Sequence, residues 1–326
     1  MTNDGVLTEA QLPMRIVTGL YLRCLRTAAR IRQEKAAREA RASVSAVSRW
    51  ERAESPLSPR ALEPLLTLYR VPRREMEFLL RDLPPQRYNR REDTSRGLAD
   101  RARYDHWADV SEEATARYLA LMRAAERVVE FCMVIPDGLR TRAYRDAMLA
   151  TAIERDSEDI PDGMPSWFRR STWEQGRQSR RLVLLDETVL ARPAGGYAAM
   201  SEQLWHLAHL IRSEKEGGHG LTLRVVPTDR VLPVHLYTHP AELTLNGQTL
   251  VAHWGFFPSY ETNSRTALRL SEGLREATAL AYSSEESLAL IESAASAMEP
   301  NSLLVHVPHG LRPRSSTSCP RPGSES

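Results

Sequence analysis

The chain has 326 residues, 42% of them hydrophobic, and a formal net charge of only +2, from 44 Lys and Arg against 42 Asp and Glu. That length buries a large core and fits two domains at roughly 100–200 residues each, which excludes a peptide-sized regulator. Cys24, Cys132 and Cys319 are odd in number and outside any C-x-x-C pair, and apolar runs such as VVEFCMVI (128–135) fall well short of about 18 residues, so a disulfide framework, a cysteine zinc site, membrane insertion and export are not expected and a reducing cytoplasm is.

The near-neutral total hides an asymmetry: residues 1–91 hold 18 Lys and Arg against 10 Asp and Glu, and the rest hold 26 against 32. A basic front half points to nucleic-acid contact at that end. PMRIVTGLYLRCLRTAARI (13–31) sets Ile16, Leu20, Leu25 and Ile31 near one helical stripe, and RQEKAAREA (32–40) predicts a second, short helix. After a brief turn at Arg41 and Ala42 comes ASVSAVSRWERAE (42–54), with Ser43 as N-cap and Val47 and Trp50 on a buried side. The opposite side carries Val44, Ser45, Ser48, Arg49 and Arg52: hydroxyls, a methyl surface and two guanidiniums without a carboxylate, the equipment of a major-groove reader. A merely solvated helix more often interleaves acids and bases for i,i+4 pairing.

SPRALEPLLTLYRV (58–71) and PRREMEFLLRDL (72–83) each begin with a proline-bearing helix start, at Pro59 and Pro72. The expected first domain is therefore an all-α helix-turn-helix bundle of about five helices over 13–84. Residues 85–103 nearly lack large apolar side chains and read as a linker.

A second domain over 104–298 should be α+β, with a small, mostly antiparallel sheet. ATARYLALMRAAERVVEF (114–131) predicts a helix, and a Pro-Asp-Gly turn at 136–138 separates it from another over 142–153. LVLLD (182–186), LTLRVVP (221–227), LPVHLY (232–237), AELTL (241–245) and QTLVAHW (248–254) are strand-like, and Asn246-Gly247 predicts a type I′ hairpin between the last two. Helices are expected over 197–215, 264–282 and 284–298, the last opened by a Ser-Ser-Glu-Glu capping signal. Residues 299–326 hold too little apolar surface to offset ordering entropy and are expected to form a disordered tail.

Other chemistry-bearing residues weigh toward structural roles. His206 with His209, and His235 with His239, lack a carboxylate or cysteine at confirming ligand spacing, so no metal is assigned. Asp186 and Glu187 could move protons, but at a strand end they suit a turn or cap. Gly195-Gly196 and Gly217-Gly218 read as turns and C-caps, since no strand, glycine loop and Gly-Lys-Ser/Thr follow in order. The chain also lacks a Gly-x-Ser-x-Gly elbow and His-Glu-x-x-His, so an enzyme is not expected, and no cofactor is assigned. Trp167, Trp173, Trp205, Trp254, Phe256, Phe257 and Tyr260 give the second domain aromatics for a core or a cleft, and HWGFFPSY (253–260) is the stretch where a binding role competes with a core role.

Residues 13–83 resemble the Xre/Cro-type helix-turn-helix domain, through Leu25-Arg26, Gln33-Glu34, Ala37 and the string Ser43, Val47, Ser48, Arg49, Glu51, Arg52. DET at 186–188, MSEQLWHLAHL (200–210) and LTLRVVP (221–227) resemble the uncharacterised C-terminal domain that follows this motif in many actinobacterial regulators of the WhiJ-like or antitoxin-like kind. The resemblance implies a DNA-binding homodimer that controls transcription, often with a small acidic partner protein encoded nearby. It implies that Gln33 bonds a phosphate or base, that Ser43, Val44, Ser45, Ser48 and Arg49 meet the DNA, that Arg52 grips the backbone, and that Glu51 pairs with Arg26. Arg30, Arg41 and Arg32 stand where the family has turn glycines and a Ser or Thr cap, departures costing about 1 kcal/mol each. In IPDGLRTRAY (135–144), Tyr144 is kept while Asp137, Gly138 and Arg140 differ, which points to a changed ligand or partner surface. The resulting expectation is a cytoplasmic, dimeric, sequence-specific regulator on double-stranded DNA, whose second domain senses a small-molecule effector or a protein partner through residues such as Tyr144, Trp205, Trp254, Phe256 and Phe257. The competing expectation is a protein-interaction scaffold with a degenerate helix-turn-helix.

Overall fold

Five helices come first among the described residues: α1 (Pro13–Ala28), α2 (Gln33–Glu39), α3 (Val44–Glu51), α4 (Pro59–Leu68) and α5 (Arg73–Asp82). The computed structural model describes residues 11–87, 103–150, 164–170, 179–215 and 220–299. Most of the expected linker, Trp173, Gly217-Gly218, Cys319 and the expected tail beyond residue 299 lie outside the described residues. Ser43 and Ser58 cap α3 and α4 by accepting from the amides of Ala46 and Ala61, each cap contributing about 1 kcal/mol.

The ends of α1 to α4 are built alike. Arg30, Arg41, Ala53 and Arg70 follow them at φ 55°, 51°, 55° and 60°. In each case the next amide reaches back to a carbonyl five residues earlier, as Ile31 does to Arg26 and Ala42 to Ala37. These are Schellman-type stops, which usually place glycine at the left-handed residue. Four non-glycine residues therefore hold a conformation that costs each about 1 kcal/mol or more. The bundle tolerates this because its packing is dense. A Cβ on Gly19 of α1 would lie 2.4 Å from the carbonyl oxygen of Trp50, so a glycine is what lets α3 approach α1 this closely.

The second half is built on a seven-stranded mixed sheet with spatial order β1-β7-β6-β5-β2-β3-β4. The strands are β1 (His106–Ala108), β2 (Arg127–Cys132), β3 (Arg180–Asp186), β4 (Leu221–Val226), β5 (Ala241–Leu245), β6 (Gln248–Trp254) and β7 (Pro258–Glu261). Four of the pairings are antiparallel, while β2-β3 and β3-β4 are parallel. The α+β class and mostly antiparallel pairing hold, but the sheet is larger than the small one expected.

Helices cover both faces. On one face α6 (Ala114–Ala124), the short α8 (Ser166–Arg170) and α1 itself lie over the antiparallel half, while α10 (Tyr197–Lys215) and α12 (Ser284–Ala297) lie over β3 and β4. The other face receives α11 (Arg265–Leu280) and a 3-10 turn at Val234–Thr238. Among the described residues the remaining helices are α7 (Arg142–Ala150) and α9 (Thr188–Ala191). One buried cluster runs without a break from Leu62, Leu66 and Leu79 of the bundle through Tyr21 to Leu243, Leu250 and Tyr260 of the sheet.

Two expectations require correction. The helix over 114–131 stops at Ala124, where Ala125 turns extended (ψ 138°), and the continuation is β2. Every residue of β2 but Arg127 is buried, and Val128, Val129 and Phe131 read equally well with helical spacing. LPVHLY is not a strand: Pro233 starts the 3-10 turn, His239 ends it in the left-handed region, and Val234 is 79% exposed. Prolines remove ladder donors, which explains the failure to pair. The Asn246-Gly247 turn has φ 49° and 73°, as a type I′ hairpin requires, and Ser283 with Glu286 forms the expected capping box.

Candidate nucleic-acid interface

Two sides of α3 separate inward structure from outward chemistry. Inward, Val47 is 1% exposed and Trp50 packs half-buried against the bundle core. Glu51 also turns inward, taking Arg26 Nε on Oε1 at 2.5 Å and Nη2 on Oε2 at 2.9 Å. Gln33 Nε2 donates to the same Oε2 at 2.9 Å, and Arg26 Nη1 donates to the carbonyl of Ile31 at 3.0 Å. Burial works to lower the Arg26 pKa, yet its bonds and charge contact with Glu51 hold the guanidinium above its ordinary value. The pairing thus clamps α1, α2 and α3 together.

Outward, Ser43, Val44, Ser45 and Arg49 are exposed, with Val44 at 40%, and Ser43 and Ser45 share a hydroxyl contact of 3.0 Å. No carboxylate within α3 lies on this side. Arg30, Arg32, Lys35, Arg38 and Arg41 are exposed on the preceding helices and turns, with Glu34 and Glu39 among them. Gln33, Ser48 and Arg52, all assigned to DNA, already hold side-chain partners within the protein. Gln33 is part of the Glu51 clamp, and Arg52 forks onto Glu54 at 2.6 and 2.8 Å while also donating to the Ser48 hydroxyl. An exposed pair of this kind is worth about 0–1 kcal/mol, so a phosphate can displace Glu54; Gln33 has no such freedom without opening the clamp.

The bundle is fastened to the sheet through a buried polar joint. Arg117 of α6, 1% exposed, donates through Nη1 to Oε1 of Glu75 in α5 at 2.5 Å, and through Nε and Nη2 to Asp109 at 2.7 and 2.8 Å. Burial opposes its charge, but Asp109 and Glu75 keep its pKa well above the ordinary arginine value. Beside it Glu113 Oε2 accepts from the Tyr21 hydroxyl at 2.5 Å and from Trp167 Nε1 at 2.8 Å. At the other end of α3, Gln248 of the β5-β6 hairpin donates to the carbonyl of Arg52 at 3.3 Å. Trp107 of β1 bonds Asp82 at the end of α5 at 3.0 Å and stacks on Tyr260.

A family model described as a helix-turn-helix domain matches residues 18–79, which hold the larger part of α1, the whole of α2 to α4 and most of α5. A second, described as a domain of unknown function (DUF5753), matches residues 115–293, more than half of the chain. The chain belongs to the DUF5753 family. No curated protein and no solved structure matches it.

The DUF5753 domain holds β2 to β7 and disperses the five aromatic candidates. Tyr144, 2% exposed, lines a shallow apolar cleft with Met133, Met148, Val189 and Arg192. Its empty space is about 290 Å³ with open solvent included, at or below the small end of ligand pockets of about 300–1,000 Å³. Trp205 is half-buried on α10 and donates to Glu299 at 3.1 Å. Trp254 packs edge-on against Tyr118 at 4.9 Å, while Phe256 and Phe257 stand 99% and 48% exposed at the β6-β7 turn. The five therefore form no common pocket. Asp186 accepts from the amide and hydroxyl of Thr188, and Glu187 from the amide of Thr228 at 2.9 Å, which are turn roles. The histidines flagged in the sequence do not converge among the described residues; His106, His253 and Glu261, from three different strands, do. No spacing signal could have found them, because strand order alone joins residue 106 to residues 253 and 261. No helix among the described residues is long and apolar enough to cross a membrane.

Proposed function

We propose that this protein is a sequence-specific transcriptional regulator that binds double-stranded DNA through α3 and is not an enzyme. In this reading it acts in the cytoplasm as a symmetric homodimer, placing two α3 helices in successive major grooves about 34–36 Å apart. The observation that carries the reading is the outward side of α3, where Val44, Ser45 and Arg49 stand clear of both halves of the molecule while the helix's one carboxylate, Glu51, is locked inside. Hydroxyls and an arginine fork match base edges, and the arginines on α2 and its turns suit phosphates.

The DUF5753 domain is the receiver of a signal, a small-molecule effector or a small acidic partner protein. Because α1 and α5 are fastened to the sheet through Arg117, Tyr21 and Trp107, an effect at the sheet moves the bundle as a body and changes the population of DNA-competent spacings between subunits. Selection of genomic fragments by the full-length protein tests the reading. A recurrent, two-fold symmetric sequence supports it, and recovery of unrelated fragments contradicts it.

A second reading, a protein-interaction scaffold with a degenerate helix-turn-helix, draws on the left-handed Arg30 and Arg41, on α2 starting at Arg32 without a side-chain cap, and on Gln33 and Arg52 being held by Glu51 and Glu54.

A further inference from the structure

We propose that His106, His253 and Glu261 form a binding site for one divalent transition-metal ion of the zinc class, which fastens the edge strand β1 to the sheet beneath the DNA-binding bundle. Each residue offers one ligand atom, and these atoms all lie within 4.8 Å of one another. The grouping follows from strand register. Glu261 of β7 is the direct partner of His106 in β1, and Ser259, two residues before it on the same face, is the partner of His253 in β6. The three side chains therefore share one face of the sheet, the face opposite Trp107 and Tyr260.

The chemistry of the set selects the ion. Two imidazoles and one carboxylate suit zinc and its neighbours, whereas magnesium and calcium favour all-oxygen shells. His253 Nε2 is buried without a hydrogen-bond partner and faces Glu261 Oε1 at 3.9 Å. That gap is too long for a hydrogen bond, yet an ion with bonds of about 2.0–2.2 Å to nitrogen and oxygen spans it. Glu261 is 1% exposed, so its carboxylate is held deep against the sheet. Its other oxygen accepts from the Ser264 hydroxyl at 2.8 Å, and that serine also caps α11 through the Ala267 amide, so the carboxylate is already oriented from behind.

Position gives the ion a consequence. His106 is next to Trp107, whose indole bonds Asp82 and whose ring lies 5.9 Å from that of Phe78, both on α5. An ion on His106 fixes the strand on which the last helix of the bundle rests. Binding to the native state only, it raises stability by mass action.

The full-length protein, stripped with chelator, is titrated with Zn²⁺ against a competing chromophoric chelator, and its Tm is followed with and without Zn²⁺. The site binds one Zn²⁺ per chain and raises Tm. His106→Ala and His253→Ala each weaken binding by more than the roughly 10- to 100-fold that outer-shell changes cost, while His206→Ala and His209→Ala leave it unchanged. Co²⁺ in place of Zn²⁺ gives visible absorption bands in the wild type that both His106→Ala and His253→Ala lose. Absence of saturable binding by the wild type overturns the proposal whatever the variants do, as does binding that survives both strand-histidine substitutions.

Discussion

Arg117 of α6 and Glu75 of α5 form an ion pair at 2.5 Å in which neither side chain is more than 4% exposed, and it joins the helix-turn-helix bundle to the sheet domain. Removing one member of such a pair leaves a charge buried without its full complement, which typically costs about 3–5 kcal/mol. Glu75→Ala is therefore expected to lower the unfolding free energy of the whole chain by that amount in urea denaturation, with a single transition rather than separate melting of the bundle. Two well-separated transitions would show that the halves are energetically independent.

Glu113 supplies a pH dependence. Burial, reinforced by the charge of Glu75, raises its pKa above the ordinary carboxylate value despite donors from Tyr21 and Trp167. An acid whose folded-state pKa is raised binds its proton more tightly when folded, so its stabilising contribution is present below about pH 4.5 and is lost as pH rises through the folded pKa. Glu113→Gln keeps an acceptor for both donors without the charge. The variant is expected to match or exceed wild-type stability at pH 7 and to lack this fall; a variant less stable at pH 7 with the same pH profile would count against the assignment.

Gly19 gives a steric prediction. With the Trp50 carbonyl only 2.4 Å from where a Cβ would sit, Gly19→Ala pushes α3 off α1. Overpacking of this kind costs about 1–3 kcal/mol, against the usual gain from replacing a helical glycine by alanine. Thermal denaturation checks the sign: a stabilised Gly19→Ala would mean that α3 does not sit where the structure puts it.

The front half of the fold was legible because its signals are local. Ser43, Ser58 and Pro59 mark helix starts, Val47 marks the buried side of α3, and the Arg26-Glu51 pairing implied by the motif resemblance is present. The sheet was less legible. β2 hides behind a helix with no breaker between Ala124 and Arg127, β1 and β7 are three and four residues long, and the prolines around His235 give a strand-like pattern to a turn. In the candidate interface, sequence located the exposed Ser45 and Arg49. It could not show that Gln33 and Arg52 already have acidic partners, since those bonds depend on rotamers set by tertiary packing.

Arg41 and Arg70 separate strain from DNA contact. Both occupy the left-handed region, at φ 51° and 60°, so glycine at either position is expected to stabilise the fold by about 1 kcal/mol. Arg41 lies just before the start of α3, whereas Arg70 lies between α4 and α5. Arg41→Gly should therefore also lower the salt dependence of DNA affinity by about one phosphate contact, and Arg70→Gly should not. Equal salt slopes for the two variants would remove Arg41 from the interface.

The central claim is that the outward side of α3 reads bases. Fluorescence anisotropy of the full-length protein and of Arg49→Ala, on a selected DNA fragment and on a scrambled one, tests it most directly. The account predicts that the wild type prefers the selected fragment and that Arg49→Ala loses about 1–3 kcal/mol of that preference, roughly 5- to 150-fold. Equal, weak and sequence-blind binding by both proteins would contradict it.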